Sequence, residues 1–127
     1  MLDRLRRYAE MIEDGERSVA RFGRHAWLLM GLTIAHARLG HGDRAQAYFD
    51  ELVARSRTEY VQGSVLAVAA MAIGRRDEAV LRWSGAADAR DPLMAVLLQR
   101  GALGVELRAQ PEHLALLERL GWDRPLA

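Results

Sequence analysis

The chain has no cysteine, which rules out disulfides and thiolate-bound metals and fits a reducing compartment. Lysine and asparagine are absent too, and all eighteen basic residues are arginine. That usage points to a GC-rich genome more than to a function. Proline occurs only at 92, 111 and 125, so everything before Pro92 can form helix broken only by glycine turns. β-branched residues are few beside alanine and leucine, and the alternating pattern of a half-buried strand is missing, which favours helix. The longest uncharged run, 60–74, has fifteen residues, short of the roughly 20 that cross a bilayer. The N-terminal MLDRLRRYAEM lacks the apolar core of a signal peptide. A cytoplasmic protein with no membrane partner is expected. Neither sign of charge dominates. The net charge is +1, and acids and arginines alternate along the chain, without the basic stripe of a nucleic-acid footprint. Arg4, Arg6, Arg7 and Arg75-Arg76 come nearest to one. Five acids fall within the first sixteen residues, however, and Asp77-Glu78 follow the second pair, so solvated charge accounts for both groups and no nucleic-acid partner is expected.

What is present is a 127-residue chain, half of it hydrophobic, enough for one domain with a core. Leu5, Tyr8, Ile12, Val19 and Phe22 make a stripe at spacings of three and four, which predicts an amphipathic helix over 3–22, with Gly15 on the same stripe as a close-packing or weak spot. A second helix is predicted from about His25 to Leu39, stopped by Gly40. A third starts near Asp43, with Asp43 and Gln46 placed for a capping box and Ala45, Tyr48, Phe49, Leu52 and Val53 on its buried face. A fourth is predicted over about 59–73, stopped by Gly74, and a fifth over about 77–89, burying Ala79, Val80, Trp83, Ala86 and Ala87. Asp91-Pro92 reads as a capped helix start, Gly101 and Gly104 break the helix it opens, and Pro111 starts a last short helix ending at Gly121.

Shifting the chain by 34 residues lays Leu32 on Leu66, Ala35 on Ala69, Gly40 on Gly74, Asp43 on Asp77, Ala45 on Ala79 and Phe49 on Trp83. The matched positions are those a helical hairpin restricts. Glycine ends the first helix because the turn needs positive φ. Alanine sits where two helices cross closely, and an aromatic one turn later fills the wider space beyond. The stretch Gly74 to Trp83 is therefore the turn and second-helix start of a repeat.

A 34-residue period with this spacing resembles the tetratricopeptide repeat. Gly40, Ala45 and Phe49, and again Gly74, Ala79 and Trp83, match the family's small helix-A end, its helix-B alanine and its following aromatic. Thr33, His36 and Ala70 depart from the family pattern. A closer resemblance covers about Ala26 to Trp122, carried by Tyr60-Val61, Arg90-Asp91-Pro92 and the Pro111 to Gly121 segment. These are similar to the C-terminal tetratricopeptide region of bacterial multidomain regulators, including winged-helix transcription factors, class III adenylate cyclases and serine/threonine kinases. The resemblance implies a right-handed α-α superhelix of about seven helices in a single domain over 1–127. It comprises an N-terminal helix (3–22), repeat 1 (25–57), repeat 2 (59–91) and degenerate capping helices (92–121). It also implies an interaction module without enzymatic activity.

No residue pattern argues against that. His36, His41 and Asp43 are too few and too irregular for zinc, so no metal or cofactor is expected. The serines lack a nucleophile-elbow context, and no glycine-rich phosphate loop occurs. The runs 26–35 and 60–74 are apolar nearly all round, although a helix on a monomer's rim should show a polar face. The family's groove positions fall on Trp27, Met30, Ile34, Ala37 and Arg38 in the first repeat, and on Val61, Ser64, Val68, Met71 and Ala72 in the second. The expected function is a non-catalytic scaffold holding a protein or peptide segment through this helix-A wall. Trp27, Met30, Ile34, Arg38, Ser64, Val68 and Met71 are the anchors, and Arg38 fixes a carboxylate. Two other arrangements would bury the same wall: capping helices folded over it, or a second copy in a homodimer. A regulatory part of a bacterial signalling or transcription protein is the remaining alternative.

Overall fold

A computed structural model describes residues 2–89, 91 and 109–120. The chain is all-α, with six helices and no strand among the described residues. They are α1 (Leu2–Phe22), α2 (Ala26–Arg38), α3 (Gly42–Ser56), α4 (Gly63–Ala72), α5 (Arg76–Asp88) and α6 (Pro111–Leu120). α2 with α3 and α4 with α5 form the two expected hairpins. The helix expected after Pro92, its break at Gly101 and Gly104, and the end of the last helix at Gly121 lie outside the described residues.

Both hairpin turns are built alike because the same residue types impose the same backbone. Gly40 and Gly74 sit at φ +80° and +81°, which a side chain would strain. The Gly40 amide donates to the Ala37 carbonyl and the His41 amide to the His36 carbonyl (3.2 and 2.8 Å). The Gly74 and Arg75 amides donate to the Met71 and Ala70 carbonyls (3.1 and 2.9 Å). This is the Schellman closure, which satisfies carbonyls left over at a helix end. It also corrects the predicted helix starts. The turn hands over to α3 at Gly42, with His41 as N-cap and no side-chain cap bond. Asp43 is thus already inside the first turn, and Gln46 donates to Asp50 (2.8 Å), so no capping box forms. α4 begins at Gly63 rather than near 59, because the amides of Thr58 and Glu59 still donate to the Arg55 carbonyl at the end of α3 (3.1 and 2.9 Å). The cap of α4 comes from far along the chain. The Asp91 carboxylate accepts from the Ser64 hydroxyl (2.5 Å) and the Ser64 amide (3.2 Å).

α2 packs on α3 and on α4, α4 packs on α5, α1 lies on α2, and α6 on α5. Ala45 and Ala79 are fully buried at the two crossings, with the Phe49 and Trp83 rings buried one turn on. The rings have different needs. Phe49 is covered by the Arg75 guanidinium, 5.6 Å from its centroid, so the second turn roofs the first ring. The indole N–H of Trp83 needs an acceptor once buried, and it donates to Nδ1 of His113 on α6 (2.9 Å). Two glycines allow close approach. A Cβ on Gly15 would stand 2.8 Å from a methyl of Leu32, so α1 docks on α2 at that point. A Cβ on Gly63 would stand 3.0 Å from the Arg82 carbonyl oxygen and 3.2 Å from the Ala86 Cβ, so α4 and α5 meet there backbone to backbone.

Candidate functional site

At about 100° per residue, Trp27, Gly31, Ile34 and Arg38 share one face of α2. The opposite face, Leu29, Leu32, Thr33 and His36, is buried. Its one hydroxyl is satisfied within the helix, Thr33 donating to the Leu29 carbonyl (2.8 Å). The first face is open: Trp27 is 49% exposed, Arg38 is exposed and Ile34 half-buried. Among the described residues, no atom beyond α2's own neighbouring backbone lies within 4 Å of where a Gly31 Cβ would stand. Trp27, Ile34 and Arg38 therefore come together as a strip along α2, an indole at one end and a guanidinium at the other.

The remaining anchors of the expected wall do not join it. Met30 faces the second hairpin and belongs to the buried core cluster with Phe49, Leu66 and Val68, and Met71 packs half-buried against that cluster. Val68 is 4% exposed and Ser64 is fully buried, its hydroxyl engaged by Asp91. In this structure Met30, Ser64 and Val68 are packing residues and offer no open surface. The cause lies in α4, which is apolar on every side and has α2 on one flank and α5 on another, so residues 64–70 are all buried.

The junction of α1, α2 and α3 holds a titratable cluster. His36 is buried, and its Nδ1 is 3.0 Å from Nδ1 of His41. Its Nε2 has no hydrogen-bond partner and lies 3.9 Å from the Glu16 carboxylate. One of two facing Nδ1 atoms must donate. If His41 donates, the His36 proton sits on Nε2 facing Glu16. If His36 donates, a bare lone pair faces the carboxylate. Electrostatics assigns the first arrangement. Burial pushes the His36 pKa down, helped by His41 and Arg44 and opposed by Glu16. The Tyr48 hydroxyl donates to the same Glu16 (2.7 Å), and burial, followed by that bond, pushes its pKa up to about 12. Beside it Arg24 grips Glu51 with two bonds, 2.6 and 2.7 Å. The Arg24 bond holds the Glu51 carboxyl below its ordinary value.

This cluster tightens packing and offers little chemistry. Its hydroxyl is held in the protonated form and its buried histidine in the neutral one. Among the described residues no three histidine, cysteine or acidic side chains gather where a metal could sit, and no helix is long and apolar enough to cross a membrane. The serine hydroxyls of Ser56 and Ser64 are engaged, by the Val53 carbonyl and by Asp91.

One surface was missed in the sequence reading. A cleft of about 690 Å³ opens between the 57–62 connection and α5, lined by Tyr60, Val61, Leu66, Leu81 and Ala86. Tyr60 is 81% and Leu81 71% exposed. Leu81 carried a signal: it is a large apolar residue off the Ala79–Trp83–Ala86 face of its helix, where a polar side chain belongs. Compared with known proteins, the chain matches no family model, no curated protein and no solved structure.

Proposed function

We propose that the chain is a non-catalytic interaction scaffold of the tetratricopeptide type, a right-handed superhelix of repeated hairpins that holds a protein or peptide segment along the open strip of α2. The observation that carries this reading is the exposed Trp27 on the same helix face as the half-buried Ile34, with no described side chain above Gly31 between them. A large indole left half in water beside an aliphatic side chain and a gap is the anatomy of an anchor pocket. The duplicated glycine–alanine–aromatic unit and the likeness to bacterial regulator C-termini support the scaffold role, and so a cytoplasmic, regulatory setting without cofactor or metal. The partner segment presents apolar side chains at helical spacing.

The test is a random-peptide display selection against the purified chain. Ligands with apolar anchors are expected, and Trp27→Ala or Ile34→Asp should raise their Kd at least about tenfold, roughly 1.4 kcal/mol, with unchanged circular dichroism. Ligands that bind both variants as well as the parent, or no enriched ligand at all, would remove the strip as the binding site.

A further inference from the structure

The two hairpin turns close with the same backbone bonds, yet the first adds a side-chain bond to them. The His41 amide donates to the His36 carbonyl (2.8 Å), and 34 places on the Arg75 amide donates to the Ala70 carbonyl (2.9 Å). In the first turn the same two residues also meet through their rings, Nδ1 to Nδ1 at 3.0 Å. Ala70 has no side chain that could do so. Such a turn therefore stands without the ring contact, and the contact adds a bond that depends on protons. His41 is exposed and takes up a first proton on Nε2 while its Nδ1–H goes on donating. The second proton has one place left, Nδ1 of His36. Two N–H groups on two charged rings then face each other, and the bond is lost. Glu16 stands on the other side of the His36 ring. The buried Nε2 has no hydrogen-bond partner and lies 3.9 Å from the Glu16 carboxylate, about 1 Å beyond bonding distance. The oxygen it faces already accepts from Tyr48, and a carboxylate oxygen can accept twice. The Tyr48 ring stacks on the imidazole, 5.5 Å between centroids, and favours a positive charge there. Arg44 on α3 opposes that charge. α4, the remaining neighbour of α2, carries no titratable residue.

We propose that the His36–His41 pair is a proton-operated switch in the first turn: the doubly charged pair gives up its Nδ1 bond, His36 closes on Glu16, and the Gly40–His41 turn loosens while α1 stays seated on α2. Burial, His41 and Arg44 hold the second proton off His36, and Glu16 draws it on. The closed form therefore prevails at neutral pH, and the exchange of partners falls on the acid side. The two states differ in a single bond on each side of one ring, so the proton moves a local equilibrium between two defined arrangements. The second turn, closed by backbone bonds alone, does not respond. The α2 strip takes no part, and the switch stands or falls separately from the peptide-binding reading.

The test is nuclear magnetic resonance on the full chain between about pH 8 and about pH 5. Ring-nitrogen spectra place the proton on each histidine. At the upper end His36 should carry it on Nε2 and His41 on Nδ1. As pH falls His41 should become charged first and His36 second. Over the His36 step the exchange protection of the His41 amide should fall about tenfold or more relative to that of the Arg75 amide, while amides of α1 from Ile12 to Val19 keep theirs. Glu16→Gln leaves Tyr48 an acceptor and should move the His36 step to lower pH. His41→Ala should move it to higher pH and abolish the pH dependence of protection at residue 41. Glu16→Asp, which draws the carboxylate back, replaces Glu16→Gln if the latter loses helicity. A His36 with its proton on Nδ1, equal protection losses at residues 41 and 75, or a His36 step that neither variant moves would each overturn the switch. So would loss of α1 protection before His36 is charged.

Discussion

On α2, no described residue beyond the neighbouring helix backbone comes within 4 Å of a Cβ built on Gly31. Thirty-four residues later the equivalent Val65 is buried on α4. Ile34 is half-buried, and its equivalent Val68 is enclosed. The two hairpins share a turn, a crossing alanine and a buried ring, yet one leaves its first-helix face in solvent and the other loses it to packing. A repeat constrains the contacts within a hairpin because they recur in each copy. The outer face depends on what stands next to each copy, and that differs at every place in a stack. α2 takes α1 on its Leu32 side through Gly15 and keeps its Trp27 face. α4 is tied at its start by Asp91 and at Gly63 by the α5 backbone.

The sharpest way to break this contrast is to place the same charge at matched positions. Val68→Asp is expected to cost about 3–5 kcal/mol, the cost of an unpaired carboxylate in a core, and to unfold much of the protein. Ile34→Asp should cost no more than about 1 kcal/mol. Urea midpoints measure both, and equal losses would mean that the two faces are buried alike. A smaller effect separates two glycines. Gly63→Ala presses a methyl onto the Arg82 carbonyl and should destabilise by about 1–3 kcal/mol. Gly31→Ala adds a methyl in open space within a helix and should stabilise by about 0.5–1 kcal/mol. Thermal melting of the pair reads the difference, and a Gly31→Ala loss would show that the strip is already covered.

The smallest expected effect is the pH dependence that His36 gives the first hairpin. His36 has its pKa lowered on folding by burial, so the unfolded chain binds the proton more readily. Stability from this group is full above the ordinary value of 6.5 and is lost as pH falls from there through the folded value, with a slope no steeper than about 1.4 kcal/mol per pH unit. Urea midpoints of the parent and of His36→Leu between pH 7 and 5 should converge, because the variant lacks the slope. Parallel curves would show that His36 titrates as it does in water.

Much of the fold was legible because its determinants are local. Gly40 and Gly74 announce positive φ, Ala45 and Ala79 announce close crossings, and Phe49 and Trp83 announce the space beside them. The 3–22 stripe announces α1, and Gly15 its point of contact. Legibility failed where a residue's partner is remote. Asp43 looked like an N-cap on local grounds, but the closing turn had already supplied the entry into α3. Asp91 is expected to cap a helix that lies outside the described residues, and nothing local foretells its bond to Ser64, 27 residues away, at the start of α4. Ser64 read as an exposed groove residue because nothing nearby in the chain reveals that carboxylate. Of the wall, Trp27, Ile34 and Arg38 stand on one open strip, while Met30, Ser64 and Val68 are enclosed. A run that is apolar on all sides shows that a helix will be covered widely, without showing by what.

Backbone preference and side-chain size along 127 residues were enough to dictate an all-helical chain with a duplicated hairpin, since turns and crossings are decided by residues within one or two turns of each other. Which apolar faces stay in water was set by neighbours brought in from elsewhere: α1 against Leu32, Asp91 at the head of α4, His113 beneath Trp83. Burial is a property of the whole packed arrangement, and one helix face cannot know its neighbours until the chain has closed around it.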